Sequence, residues 1–339
     1  RDRAQALVQK VRQHPTRPGS ITLQDLAHYK VKKREPLCFD HVVQTTGKSF
    51  QICGFPPPSS GALAIGQILG ILNNTPAGKM PLQQGLPSSE WLHFYTEAAR
   101  LAFADRAQFV GDPDFVNAPG GNWKTMLHPT YLQQRSRLIG DQSMKVAQAG
   151  NPAEFKTAYA PMPHQEEYGT SHISVIDPYG NAVAMTTTIE AVFGSRLMVN
   201  TGQGRQGGFL LNNELTDFSF APTDAKGMPI ANRVEGGKRP RSSMSPTLVF
   251  EKETGQLKMT GGSPGGAVII HYTGKLLIGT LQWGLNTQQA INLPNFGSLN
   301  GPTVLEEKRF PENTLKALQA RGHEVREMTL PSGLQAIEV

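Results

Sequence analysis

The hydrophobic pattern of the chain changes its period near the midpoint, and this change limits the folds that are possible. Before residue 168, apolar residues recur at helical spacing, most clearly along "SSEWLHFYTEAARLAFADRAQFV". From 168 onwards, polar and apolar residues alternate in "SHISVID" and "AVAMTTTIE", and "PYGN" between them is typical of a hairpin turn. Helical spacing then returns in "GGAVIIHYTGKLLIGTLQWGL". Helices that flank short antiparallel strands predict a layered α+β fold.

Local signals predict where several elements begin. Thr22 and Asp25 have capping-box spacing, "PPPSSGA" predicts a proline turn before a capped helix, and Pro311 with Gly322 predicts a helix over 311–321. One apolar stripe on the long predicted helix is interpreted as core rather than as a cofactor site. The stripe consists of Trp91, Phe94, Ala98, Leu101 and Ala102.

Composition and charge exclude two classes of partner. With 339 residues, 38% of them apolar, the chain can bury the core of one large domain or of two intimate ones. Its formal charge is +6, but the basic residues are scattered, and the densest run, "GGKRPRSS", contains no aromatic residue. We therefore do not expect nucleic acid as a partner. The longest apolar stretches are too short or are interrupted by polar residues, so no membrane span is predicted.

The 2 cysteines flank a predicted hairpin, "CFDHVVQTTGKSFQIC". Its turn would bring Cys38 and Cys53 close together, as a disulfide requires, although two free thiols are an equally good interpretation. If the disulfide forms, it indicates the periplasm or the cell exterior.

The search for reactive groups excludes several kinds of site. The 9 histidines show no HExxH or His-x-His spacing, so we expect neither a metal nor another cofactor. Ser263 in "GGSPGG" matches the G-x-S-x-G elbow, but Pro264 lacks the N–H that this elbow uses as an oxyanion donor. The N–H groups of Gly265 and Gly266 are instead available to developing negative charge, unless they only begin a helix.

Three further patterns have both a functional and an ordinary interpretation. Glu214 and Asp217 in "LLNNELTDFS" can share a proton, bind a metal or hold an ammonium group, or they can simply be solvated. Ser242 and Ser243 can receive a carboxylate, or they can form a turn before a strand. Thr170, which follows Gly169, can be a nucleophile or only the start of a strand.

Taken together, these segments resemble the γ-glutamyltranspeptidases. The resemblance rests on "PPPSSGA", "ADR", "GDPDFV", "GTSH", "LLNNELTDFS", "KRPRSSMSPTLVF" and "GGSPGG", which occur in this order along almost the whole chain. It implies an N-terminal-nucleophile hydrolase with a four-layer αββα sandwich, in which two mainly antiparallel sheets are stacked. It also implies a precursor that cuts itself between Gly169 and Thr170. Residues 1–169 would be a mostly helical large-subunit portion with one hairpin, and residues 170–339 the small-subunit portion, intertwined in one domain.

The resemblance also implies a role for each site residue. Thr170 would attack γ-glutamyl amides such as glutathione or glutamine, with its own α-amino group as base, and pass the γ-glutamyl group to water or to an amino acid or peptide amine. Thr188 would lie beside that amino group, and the N–H groups of Gly265 and Gly266 would form the oxyanion hole. The substrate's α-amino group would be bound by Glu190, Glu214 and Asp217. Its α-carboxylate would be bound by Ser242 and Ser243.

Several departures from the family pattern are visible. Glu190 and Glu214 stand where some members have Asn and Gln, so we expect a more acidic site that discriminates in favour of ammonium-bearing substrates. Segment 219–237, which matches a lid, has no Tyr or Trp, so we expect loose closure. Family members extend beyond both ends of this chain, and their carboxylate-clamping arginine lies upstream, so no arginine is assigned here. Two alternatives to the γ-glutamyltranspeptidase function are a glutaryl or cephalosporin acylase of the same family and a non-catalytic truncated precursor or scaffold. The resemblance and the possible disulfide also predict a periplasmic or secreted location.

Overall fold

The computed structural model describes residues 2–167, 169–200 and 207–339. Its α-helices are α1 Asp2–Arg12, α2 Leu23–His28, α3 Gly61–Leu72, α4 Ser89–Phe109, α5 Pro129–Ser136, α6 Ile269–Leu277, α7 Thr287–Asn292 and α8 Glu312–Ala320. Its strands are β1 Leu37–Val42, β2 Ser49–Gly54, β3 Ser171–Ile176, β4 Ala182–Thr187, β5 Met198–Val199, β6 Phe209–Leu210, β7 Thr247–Glu251, β8 Leu257–Gly262, β9 Phe296–Gly297, β10 Thr303–Glu306, β11 Val325–Met328 and β12 Gln335–Glu338.

The central sheet draws its strands from both halves of the chain. Its order is β1-β2-β7-β8-β12, and all of its neighbouring strands are antiparallel. Strand β2 precedes Thr170 and pairs directly with β7, which follows it. The other described sheets are smaller, and among them only β10 and β11 run parallel.

The two faces of the central sheet are covered by different elements. Met259 and Val249 point into the core formed with α3, α4 and α6. Thr260, the next residue after Met259, points the other way, and its hydroxyl donates to Val183 O in β4 at 3.2 Å. The β3–β4 hairpin is thus stacked on β8 and β12, with helices on the opposite face of the sheet.

These layers account for three of the four layers expected from the resemblance. Two mainly antiparallel sheets are stacked, as predicted, and a helical layer covers one of them. The outer face of the hairpin is exposed within the described residues and is apolar; it consists of Ile173, Val175, Val183 and Met185. The expected second helical layer is therefore not seen in this part of the molecule.

The predicted core stripe lies in the interior. Helix α4 is buried on almost every side, and Trp91 stacks on Tyr95 with ring centroids 5.2 Å apart. The stripe residues Trp91, Ala98, Leu101 and Ala102 are buried, and Phe94 packs against them. The interpretation of this stripe as core is confirmed.

Some local signals have the predicted role and one does not. The capping box of Thr22 and Asp25 is present. The prediction of a capped helix after the prolines is wrong in its detail, because the Ser60 side chain does not cap α3. Its hydroxyl instead donates to Ser242 O at 2.7 Å and accepts from Arg106 Nε at 2.8 Å.

The β1–β2 hairpin places Cys38 directly opposite Cys53, and the two residues form a disulfide. Among the described residues, no helix is both long enough and apolar enough to cross a bilayer.

Candidate active site

Two threonine hydroxyls contact the carbonyl of Gly169. The chain is continuous through Gly169 and Thr170, so this is the geometry of the uncut polypeptide. Thr170 Oγ1 donates to Gly169 O, and Thr188 Oγ1 donates to the same oxygen at 2.8 Å. The backbone N–H of Glu190 donates to Thr188 Oγ1 at 2.8 Å, which fixes the orientation of that hydroxyl. The carbonyl next to Thr170 is therefore polarised by preorganised donors.

The β3–β4 hairpin produces this arrangement. Ser171 pairs with Thr187, so Thr170 and Thr188 lie next to each other just beyond the paired residues. Gly169 packs against the chain that follows β4, where a side chain would collide: a Cβ on Gly169 would lie 2.5 Å from Glu190 O and 3.1 Å from Val192 N. A glycine is required at 169 by this close approach of backbone to backbone.

A small cavity of about 20 Å³ joins most of the predicted site residues. That volume is enough for roughly one water molecule. Its lining includes six residues singled out from the sequence: Thr170, Thr188, Asp217, Ser242, Ser243 and Gly266. The remaining lining residues are Glu167, Met244 and Ile269. The predicted nucleophile, an acid, the two serines and one glycine thus meet at one point.

The acidic residues lie beside this cavity on a short 3₁₀ turn, Glu214–Asp217. Burial, the charge of Glu167 and the neighbouring Glu214 raise the pKa of Asp217 to about 8. Burial also raises the pKa of Glu214, whose Oε1 is buried without a hydrogen-bond partner within the described ranges. Glu214 disfavours the ionised form of Asp217, so the pair favours retaining a proton.

Glu190 is buried close to this pair. It has a left-handed backbone (φ 71°), and its carboxylate accepts from Asn213 Nδ2. The same Asn213 accepts from the backbone N–H of Ala191 at 3.0 Å, so the 188–191 turn is tied to the acidic turn.

The glycine pair begins the helical segment that leads into α6. Gly265 has φ 135° and Gly266 has φ 60°, values that favour glycine. A Cβ on Gly266 would collide with the backbone carbonyl of Glu167, so in the uncut chain this glycine is covered by the segment before Thr170. The rival nucleophile Ser263 is fully buried and donates to Pro264 O at 2.7 Å, which fits its rejection from the sequence.

Sequence reasoning missed the most strongly charged contact of the site. Arg106 Nη2 lies 2.9 Å from Glu167 Oε1 and also donates to Ser243 Oγ. Ser243 Oγ in turn donates to Glu167 Oε2. The sequence signal that could have indicated Arg106 is "ADR" at 104–106. This motif contributed to the family resemblance, but no role was assigned to its arginine. Arg241 is buried nearby, and burial together with the charge of Arg106 lowers its pKa to about 9.

Ser242 has a more local role in this geometry. Its hydroxyl accepts from Met244 N at 3.1 Å, and its backbone bonds to Pro58 O and to Ser60 N on the loop before α3. In the predicted lid, Asn232 Nδ2 donates to Asp217 O at 2.8 Å, whereas Phe220 is exposed.

Within the described ranges, one buried group has the composition of a metal site: His93, Glu97 and His323. Its ligand atoms are already used. His93 Nε2 donates to Gly140 O, so His93 Nδ1 accepts from His323 Nε2 at 2.8 Å. Glu97 accepts hydrogen bonds from Arg100 Nη1, from Ser143 Oγ and from the backbone N–H of Met144. These bonds describe a polar network inside the core.

Comparison with known proteins shows the family. The sequence model of the family described as gamma-glutamyltranspeptidase matches residues 2–339. This chain belongs to the γ-glutamyltranspeptidase family. The glutathione hydrolase proenzyme of Escherichia coli (strain K12) is 36% identical over 330 residues, which are 95% of this chain and 52% of that protein. The glutathione hydrolase proenzyme of Bacillus subtilis subsp. natto is 36% identical over 312 residues, 90% of this chain and 49% of that protein. The chain therefore spans about half the length of these relatives.

The family also has relatives with another name. The Acylase ACY 1 proenzyme of Pseudomonas sp. (strain V22) is 30% identical over 320 residues, 94% of this chain and 50% of that protein. The structure of the cephalosporin acylase from Bacillus halodurans has a TM-score of 0.74 and 22% identity, and the match covers 96% of this chain and 51% of that one. This likeness shows that the chain has the fold of the N-terminal-nucleophile hydrolases.

Proposed function

We propose that this chain forms the catalytic part of a γ-glutamyltransferase and glutathione hydrolase that activates itself by cutting between Gly169 and Thr170. The observation that supports this most directly is the shared cavity of Thr170, Thr188, Asp217, Ser243 and Gly266. Residues 1–169 and 170–339 would then be portions of a large and a small subunit that derive from one precursor.

In the first step, Thr170 Oγ1 attacks the Gly169 carbonyl carbon and the peptide bond breaks, so that an ester replaces the amide and the nitrogen of Thr170 gains the proton. Thr188 stabilises the oxyanion of this step, because its hydroxyl already donates to Gly169 O. Water then hydrolyses the ester. The products are a carboxylate on Gly169 and a free α-amino group on Thr170.

The new amino group lies beside the hydroxyl that it serves. Its reference pKa of about 7.7–8.0 allows it to accept a proton near neutral pH. Thr170 Oγ1 attacks the γ-glutamyl carbonyl, the amine product leaves with the proton, and a γ-glutamyl ester remains. Water or the amine of an amino acid or peptide then attacks this ester and releases the threonine. The N–H groups of Gly265 and Gly266 would stabilise the oxyanion once the segment that covers Gly266 has moved.

Substrate selection follows from charge. Glu190, Glu214 and Asp217 would bind the α-ammonium group of the γ-glutamyl donor, since opposite charges at short range attract strongly in a site with little water. Ser242 and Ser243 would receive its α-carboxylate. Glutathione fits this description, and no cofactor is required.

Relatives named as acylases, such as that of Pseudomonas sp. (strain V22), support the acylase as an alternative. Glutaryl side chains carry no α-ammonium group, so three acids would have no partner in such a substrate. The acids thus favour the γ-glutamyl donor. The disulfide of Cys38 and Cys53 supports a periplasmic or secreted location for the proposed enzyme.

A denaturing gel and two chromogenic substrates test the proposal in the full-length protein. We expect two bands from the natural sequence and one band from Thr170→Ala, with Thr187→Ala as a control that still cuts. The cut protein should hydrolyse γ-glutamyl-p-nitroanilide in preference to glutaryl-p-nitroanilide. Cleavage that persists in Thr170→Ala would refute the proposed nucleophile, and a preference for the glutaryl compound would favour the acylase.

A further inference from the structure

The segment before Thr170 is anchored in the site through alternate residues. Gln165 Nε2 donates to Thr216 O at 2.7 Å and to Phe218 O at 2.9 Å, on the acidic turn. Glu167 contacts Arg106 and Ser243, and Gly169 packs against the turn after β4. Glu166, between two of these anchors, is exposed. Side chains two residues apart in an extended chain point to the same side, so Gln165 and Glu167 reach the site together.

Glu167 occupies a position that is built for a carboxylate. Its side chain is only 11% exposed and that of Arg106 only 7%, so the ion pair is screened little by solvent. Ser60 Oγ accepts from Arg106 Nε and fixes the guanidinium from behind. Burial acts to raise the pKa of Glu167, but the charges of Arg106 and Arg241 and the bond from Ser243 lower it below its usual value.

We propose that Glu167 is a positioning residue for cleavage of the Gly169–Thr170 bond, and that it acts by placing its carboxylate on a receptor formed by Arg106 and Ser243. The inference rests on the proposed function. The receptor fixes the chain two residues before the reacting carbonyl, while Thr188 holds the carbonyl itself. Reaction rates depend steeply on such placement, because an error of about 1 Å can cost roughly a hundredfold.

The same receptor has a second use. Ser243 is one of the two serines proposed to receive the donor's α-carboxylate, and Glu167 O lies over Gly266. Glu167 and a γ-glutamyl donor therefore compete for the same space, and Glu167 must leave Ser243 and Gly266 before a donor can bind there. Within the uncut chain, Glu167 stands in for a substrate carboxylate.

Cleavage kinetics of the full-length protein test the role of Glu167. We expect Glu167→Gln, which keeps the shape and removes the charge, to slow cleavage about tenfold, and Glu167→Ala to slow it further. Glu166→Gln and Glu166→Ala are matched controls, since they change an exposed carboxylate one residue away, and should cut at the normal rate. Each variant is followed by the loss of the uncut band on a denaturing gel.

Chemical rescue separates a carboxylate receptor from a general effect on folding. Glu167→Ala leaves Arg106 and Ser243 without their carboxylate, so added sodium acetate should bind there and accelerate cleavage several-fold. Sodium chloride at the same ionic strength should not, and acetate should not change the natural sequence or the Glu166 variants.

The inference is overturned if Glu167→Gln cuts as fast as the natural sequence, or if acetate and chloride act alike on Glu167→Ala. Neither result affects the proposed function, provided that the natural sequence cuts and Thr170→Ala does not. If the natural sequence fails to cut, or if Thr170→Ala cuts, the proposed function itself is wrong.

Discussion

Replacing Thr188 by valine tests how the Gly169 carbonyl is activated. Valine keeps the β-branched shape of threonine but has no hydroxyl, so it removes the 2.8 Å hydrogen bond to Gly169 O and leaves the packing of the β4 end nearly unchanged. The backbone N–H of Glu190, which donates to the Thr188 hydroxyl, loses its acceptor at the same time.

The expected decrease in the cleavage rate depends on how much more this hydrogen bond stabilises the transition state than the ground state. In the ground state it is an ordinary neutral bond, with a net value of about 0.5–1.5 kcal/mol. When Thr170 attacks, Gly169 O becomes an oxyanion, and the loss of one preorganised donor to an oxyanion costs about 2.7–4 kcal/mol. Thr188 is only half-buried, so we expect a value near the lower end, about 2–3 kcal/mol. Cleavage should therefore slow roughly 30- to 160-fold.

The assay is the rate at which the uncut band disappears in purified full-length protein. Thr187→Val is the matched control, because Thr187 is the preceding residue, is exposed and makes no bond to Gly169 O among the described contacts. The reasoning is refuted if Thr188→Val cuts at the rate of Thr187→Val.

Three further changes have predictable results. Gly169→Ala would place a Cβ 2.5 Å from Glu190 O, so we expect slower cleavage on a gel and a destabilisation of about 1–3 kcal/mol in thermal melts. Asp217→Asn should raise the melting temperature of the uncut Thr170→Ala protein at pH 7 but not at pH 3, because the raised pKa of Asp217 costs stability only where the unfolded chain is ionised and the folded one is not. The free energy of unfolding should fall progressively as the pH falls from about 6.5 towards 4, as measured by denaturant titrations with tryptophan fluorescence, because burial lowers the folded-state pKa of several histidines and the unfolded chain binds protons first. These histidines are His41, His172 and His271, with pKa values of about 4, and His323, with a pKa of about 3.

Each of these results has a clear opposite. Normal cleavage in Gly169→Ala would mean that the 190–192 turn moves easily. An equal change in melting temperature at both pH values would mean that Asp217→Asn acts through packing rather than through charge. A free energy of unfolding that stays constant between pH 6.5 and 4 would mean that these histidines titrate normally in the fold.

The elements with strong local patterns could be predicted from the sequence. Helix α4 and the hairpins β1–β2 and β3–β4 have regular periods and recognisable turns, which depend only on neighbouring residues. The strands β9 to β12 were not predicted. They have only two to four residues each, and their pairing depends on partners that are distant in sequence, as when Gln335 lies opposite Gly262.

The same distinction explains the site. Motifs that are short and continuous in sequence, such as "GTSH" at 169–172, indicated their residues through the resemblance. The role of Arg106 arises only when α4 approaches Glu167 and Ser243, which are 61 and 137 residues away in sequence. Ser60 shows that a local signal can also mislead. Its position just before α3 in sequence favoured a helix cap, but its hydroxyl is hydrogen-bonded to Arg106 and Ser242, which are distant in sequence.

The pairing of β2 with β7 has a consequence for the fate of the two pieces. A break at Gly169 would leave these adjacent strands in separate polypeptides, held together along five residue pairs from Phe50–Glu251 to Gly54–Thr247. The bonds between Ser60 and Ser242 would add to this seam. Cleavage at Gly169 would then give two polypeptides that stay associated. They could dissociate only if the pairing of β2 with β7 in the middle of the sheet were broken.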